Sequence, residues 1–155
     1  MRYLIDGHNL IPKVGLRLDS LDDEDQLIGR LQEFCRVKRA QVEVYFDGAL
    51  PGHAPILKAG AVTAHFIRKG ASADGAIEAQ LDRMGKTARN WSVVSSDRRV
   101  QNAAAAVHAG VLSSEGFARE ISKAQAVAAA HVKQDATLAS DEVEEWLDIF
   151  NRRRN

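Results

Sequence analysis

Three short apolar runs in this chain each stop at an aspartate, and stretches of helical periodicity lie between them. Tyr3-Leu4-Ile5 ends at Asp6, Val42-Glu43-Val44-Tyr45-Phe46 at Asp47, and Trp91-Ser92-Val93-Val94-Ser95-Ser96 at Asp97. Runs this short, rich in β-branched and aromatic residues and bounded by turn residues, predict buried strands. Val62-Thr63-Ala64-His65-Phe66-Ile67 reads the same way, and Val111-Leu112 makes a short last strand. Strands alternating with helices predict an α/β fold, a mostly parallel central sheet flanked by helices. At 155 residues the chain suits one domain, spanning 1–155.

The helical segments follow from spacing. Leu27, Ile28, Leu31, Phe34 and Cys35 recur at i, i+3/i+4 and i+7 within a helix predicted from Leu18 to Ala40. Ser20 followed by Asp23 resembles a capping box at its start. The acids Asp19, Asp22, Asp23, Glu24 and Asp25 suit the positive end of that helix's dipole. Proline and glycine mark Ala49–Pro55 as a loop. Ile77, Leu81 and Met84 predict a helix from about Ser72 to Gly85. Another runs from Arg98 to His108, and a third from Ser114 to about Val132. Gln134 to Ala139 reads as a linker before a final amphipathic helix, 141–152, opened by Asp141. Its apolar face, Val143, Trp146, Leu147 and Phe150, is predicted to pack on the domain.

Composition removes several function classes. The 21 Lys and Arg balance 21 Asp and Glu, so the net charge is zero. That argues against sequence-independent adhesion to nucleic acid or anionic membrane over the whole surface, while a local basic face stays open. The single cysteine, Cys35, can form neither an internal disulfide nor a cysteine-based zinc site. No apolar run reaches the ~18 residues of a membrane span, and Asp6 comes too early for a signal peptide, so a cytoplasmic location is expected. Gly-x-Gly-x-x-Gly, the Walker loop and Gly-x-Ser-x-Gly are absent.

In an open parallel sheet, ligands bind at the carboxyl ends of the strands. Asp6, Asp47 and Asp97 end strands, and Asp74 falls in the first turn of the helix after the third strand. If those strands are neighbours, four carboxylates from distant segments meet in one crevice. Crowded like charges are relieved by a raised pKa or a bound cation, and oxygen-only donors suit Mg²⁺ or Mn²⁺, not zinc. A cation so held activates water and stabilises the oxygens of a phosphodiester under attack. Each aspartate also has a plainer role as turn residue or helix N-cap, and spacing alone leaves both roles open. Glu78, four residues after Asp74, lies on the same helix face and is an outer candidate ligand. Asn9 suits either loop anchoring or phosphate orientation. Lys69, Arg98 and Arg99 are candidate phosphate clamps beside the acids, with Arg68, Lys86 and Arg89 on the same rim and Arg152-Arg153-Arg154 as a terminal cluster.

Asp6-Gly7-His8-Asn9-Leu10-Ile11, Val44-Tyr45-Phe46-Asp47-Gly48, Ser72-Ala73-Asp74 through Ile77-Glu78, Ser95-Ser96-Asp97 and Val111 to Phe117 occur in this order. So arranged, and with the ending Glu142 to Leu147, they resemble the motifs of the YacP-like NYN family. The resemblance covers nearly the whole chain. It implies a PIN-like fold and a metal-dependent endoribonuclease in which Asp6, Asp47, Asp74 and Asp97, with Asn9, serve a Mg²⁺ or Mn²⁺ site. It further implies single-stranded RNA as substrate, by analogy mRNA on the ribosome, and products with 5′-phosphate and 3′-hydroxyl ends. Gly75 departs from the family pattern, which often has a second acid after the first. The rival reading is a non-catalytic RNA- or ribosome-binding module that keeps the fold.

Overall fold

Tyr3 and Ile5 enter one hydrophobic core and Leu4 the other, so the first strand is apolar on both faces and belongs inside a sheet. The computed structural model describes residues 1–18 and 20–154, with backbone alone for 137–141 and 150–154. In chain order the elements are β1 (Arg2–Asp6), α1 (Gly7–Leu10), a 3₁₀ turn (Ile11–Val14), α2 (Asp23–Lys38), β2 (Gln41–Ala49), β3 (Ile56–Ala59), β4 (Val62–Arg68) and α3 (Ala73–Met84). A second 3₁₀ segment (Gly85–Asn90), β5 (Ser92–Val94), α4 (Arg98–Ala106), β6 (Gly110–Leu112) and α5 (Ser114–Arg154) complete the chain. The six strands lie in the order β3-β4-β2-β1-β5-β6. All neighbours are parallel except β3 and β4. The predicted α/β architecture is therefore the observed one.

One face of the sheet carries α2 and α5. Leu27, Leu31 and Phe34 of α2 meet Phe117 and Ile121 of α5 over Tyr3, Ile5, Val42 and Val44. The rings of Tyr3, Phe34 and Phe117 form a cluster with centroids 4.9–5.8 Å apart. Ile77, Leu81, Val100 and Ala104 of α3 and α4 cover Leu4 and Val93 on the other face. Each large side chain so enclosed contributes about 1.5–3 kcal/mol relative to exposure. Successive strands lie to one side of β1 as far as β4, and β5 and β6 lie to the other. The chain thus reverses its winding at β1, which makes the end of β1 the expected ligand crevice.

Several boundaries differ from those the sequence predicts. The helix expected from Leu18 begins at Asp23, with Leu18 and Leu21 exposed and no side-chain cap from Ser20, which instead donates to Asp22. Asp19 lies outside the described residues. β2 does not end at Asp47 but runs on to Ala49 through a register shift between Phe46 and Ala49, where Gly48 takes a positive φ of 75°. β3 was not anticipated: its residues are mostly exposed, so Ile56-Leu57-Lys58-Ala59 carries no alternation of buried and exposed positions. The predicted linker Gln134–Ala139 is helical and continuous with α5, because it contains no glycine or proline and its Gln, Ala and Leu sustain a helix. Val143, Trp146 and Leu147 stand exposed on that helix rather than packed on the domain. The side chains of Asp141, Phe150 and Arg152-Arg153-Arg154 lie outside the described residues. Among the described residues no helix is long and apolar enough to cross a membrane.

Gly7 lets the chain turn from β1 directly into α1. A Cβ built there would lie 2.3 and 2.5 Å from the buried Phe46 ring and 3.0 Å from the Tyr45 carbonyl oxygen. Gly7→Ala is therefore expected to destabilise the protein by about 1–3 kcal/mol, read as a lower midpoint in urea unfolding. An unchanged midpoint would show that Phe46 yields freely.

Candidate active site

Parallel strands deliver their carboxyl ends to one edge of the sheet. Asp6 is the last residue of β1, opposite Tyr45 of β2, and is only 8% exposed. Asp74 sits in the first turn of α3, whose start is fixed by Ser72: its Oγ accepts the Gly75 N–H at 3.1 Å. Asp97 caps α4, its Oδ1 accepting the Arg99 N–H at 2.8 Å, while its own N–H donates to Ser95 Oγ at 3.1 Å. The plain N-cap role foreseen for Asp97 is thus real, and it coexists with a place in the crevice.

The Asp74 carboxyl lies within hydrogen-bonding reach of both Asp6 and Asp97, so it is the middle member of a row. Burial, followed by the charge and hydrogen bond of Asp74, pushes Asp6 up to about 7, with the Asp47 charge adding to this and the Asn9 N–H opposing it. Asp74 is raised as well, first by burial and then by the charge of Asp97; its hydrogen bond with Asp6 and the Arg99 charge oppose this. The row runs from a buried Asp6 to half-buried Asp74 and Asp97. Oxygen donors that oppose one another in this way fit a hard divalent cation, Mg²⁺ or Mn²⁺. Among the described residues no group of three or more His, Cys, Asp or Glu is preassembled around a metal position.

The other two candidate acids are held by basic side chains. Asp47 Oδ1 lies 2.7 Å from His8 Nδ1, and His8 Nε2 lies 3.1 Å from Glu24 Oε1. Burial works against the His8 charge, yet hydrogen bonds to Asp47 and Glu24 outweigh it and raise its pKa. Glu78 takes two bonds from Arg99, 2.7 Å from Nε and 3.0 Å from Nη2. Arg98, Arg99 and Lys69 are exposed at this edge of the sheet. Lys86 and Arg89 are not on the same rim: they precede β5 and so lie at the amino edge of the sheet, beside Val107 and His108.

Asn9 is an anchor. Its Oδ1 accepts the Ser96 N–H at 2.9 Å and the Ser114 hydroxyl, so one side chain joins α1, the end of β5 and the start of α5. Ser96 Oγ donates to Glu115 at 2.7 Å, and Glu115 pairs with Lys13 at 3.1 Å. The Ser96 hydrogen bond, aided by Lys13, holds Glu115 down to about 2. Sequence reasoning assigned no site role to His8, Glu24, Ser96, Ser114, Glu115 or Lys13. No local signal could have found them, because their partners are 16 to 105 residues away.

The YacP-like NYN domain family matches residues 3–153. A crystal structure of Rae1 (YacP) from Bacillus subtilis is 23% identical and superposes with a TM-score of 0.74, covering 99% of this chain and 94% of that one. Its W164L mutant is 24% identical with a TM-score of 0.71, covering 88% and 84%. These two share the fold. No curated protein matches this sequence.

A carboxyl with a folded pKa near 7 binds its proton more tightly than in the unfolded chain. The stability this contributes is therefore full at acid pH and lost as pH rises through about 7. The raised His8 works in the same direction. In chelator, wild-type protein is expected to lose thermal stability from about pH 5 to pH 9, whereas Asp6→Asn falls less steeply and is the more stable of the two at the alkaline end. Parallel melting curves for the two proteins would refute the crowding of Asp6.

Proposed function

The chain belongs to the YacP-like NYN domain family, and on that premise we propose that it is an endoribonuclease that hydrolyses phosphodiester bonds of single-stranded RNA with a divalent cation. The observation that carries this reading is the row of Asp6, Asp74 and Asp97 at the switch point of the sheet. Two of its members are held above the ordinary carboxylate range by burial and by one another. A buried group of like charges is unfavourable for folding alone, and a cation relieves it.

Asp6, Asp74 and Asp97 would hold Mg²⁺ or Mn²⁺. When bound, the ion supplies Lewis acidity, lowering the pKa of the attacking water and neutralising charge on the phosphate. Asp47, hydrogen-bonded to His8, adds negative charge to the crevice. Arg99 lies near the Asp74–Asp97 end of the row, where its charge acts on both carboxylates. The two N–H groups given to Glu78 fix the guanidinium plane and leave its remaining donors for phosphate oxygens. Glu78 in this reading positions Arg99 and is at most an outer contributor to the cation site. Arg98 and Lys69 extend the cationic rim, and Asn9 holds Ser96 and hence the approach to Asp97.

The test is cleavage of end-labelled single-stranded RNA with Mn²⁺, with Mg²⁺ and in chelator. Wild-type cleavage should require the cation. Asp97→Asn and Asp74→Asn should each lower the rate by on the order of 10²-fold or more, while retaining the wild-type circular-dichroism spectrum. Folded wild-type protein that is inert with both ions but retains RNA would favour the binding-module reading instead.

A further inference from the structure

Two neighbouring cavities that share Ala49, at the end of β2, differ in charge. One, of about 280 Å³, includes Asp23, Glu24 and Asp25 in its lining. The second, of about 290 Å³, is bounded by Ala49, Pro51, Gly52, Arg68 and Lys69, with no acid among them. Among the described residues neither Arg68 nor Lys69 pairs with a carboxylate. Arg68 is fixed by its register with Ala49 at the β2–β4 edge, and Lys69 by a bridge to Ala71 on the way to α3. In a chain of zero net charge, two adjacent cations without partners at the rim of a cavity form a local anion-seeking feature.

We propose that this cavity is a subsite for a backbone phosphate of the same single strand whose cleavage is proposed above, taken by Arg68 and Lys69 on the far side of Asp47 from Asp6. The inference rests on that reading for the identity of the ligand. Sheet order supports the path: β4 is separated from β1 only by β2, so the two strand ends are roughly 10 Å apart. One strand crossing the carboxyl edge reaches both places. The neighbouring acidic cavity repels a phosphate chain and leaves the Arg68–Lys69 cavity as the favoured route. A grip on phosphate alone supplies affinity and register without reading bases.

The test is fluorescence anisotropy of a labelled single-stranded RNA over a range of salt, with Asp97→Asn as the parent protein so that the probe stays intact. Losing that one phosphate contact should flatten the log–log salt slope by about 0.7, the value per neutralised phosphate of a single strand. Arg68→Ala/Lys69→Ala should therefore bind about tenfold more weakly at low salt with that flatter slope. Arg68→Lys/Lys69→Arg should retain the parent slope, which guards against a folding defect. Lys86→Ala/Arg89→Ala, at the opposite edge, should also retain it. An unchanged slope in the double alanine variant, or an equal fall in the Lys86/Arg89 control, would overturn the subsite. The two readings separate cleanly. Wild-type protein that never cleaves RNA, beside a double alanine variant that shows the flatter slope, refutes the nuclease and supports the subsite; wild-type cleavage beside an unchanged slope in that variant does the reverse.

Discussion

Asp6 ends the central strand of the sheet, is almost fully enclosed, and shares a hydrogen bond with a second carboxyl. Nothing in folding favours this arrangement, since burial and like charge both penalise ionisation of Asp6. The two cores on either side of β1 make it affordable. Ile5, Val44 and Val94 support it from one face, and Leu4, Val93 and Ile77 from the other. Neither core depends on Asp6 itself. The acid therefore sits on a scaffold held by apolar packing on both faces, as expected where a site rather than the fold dictates the residue.

What surrounds the aspartate row has a common pattern: each surrounding group fixes a neighbour. Ser72 sets the first turn of α3, Ser95 and Asp97 set the first turn of α4, and Asn9 holds Ser96 to the start of α5. His8 ties the first turn of α2 to the end of β2 through Glu24 and Asp47. Four helix starts and two strand ends are thereby fixed around Asp6. Such locking limits the freedom of side chains that must keep their positions while a ligand comes and goes.

The strand-end acids were legible in the sequence because period-two and period-3.6 patterns are local, and a parallel sheet converts local strand ends into one common edge. Ser72 as the start of α3 and Asp97 as an N-cap were legible for the same reason: a cap is read within a few residues. β3 was not, because an exposed edge strand borrows its structure from β4 and carries no periodic signature of its own. The supposed linker at Gln134–Ala139 failed on the opposite ground. No glycine or proline interrupts the backbone there, and its alanines, glutamine and leucine carry the helix through. The pairings of His8 with Glu24 and of Asn9 with Ser114 depend on how separate elements meet in space, which no window of the sequence contains.

Glu78 illustrates how much a third dimension changes a role. Read along α3, it lies one turn beyond Asp74 and looks like a further ligand. In the folded chain α4 brings Arg99 against it, and the carboxylate spends two hydrogen bonds on the guanidinium. The pair is largely exposed on the Arg99 side, so its worth to stability is small. Its geometric effect is larger. Arg99 is held at its backbone by Asp97 and at its side chain by Glu78, so a cation on α4 is anchored to both acid-bearing helices at once. A fixed guanidinium beside three carboxylates lowers their mutual repulsion without neutralising it, and leaves the remaining negative charge for a cation to balance.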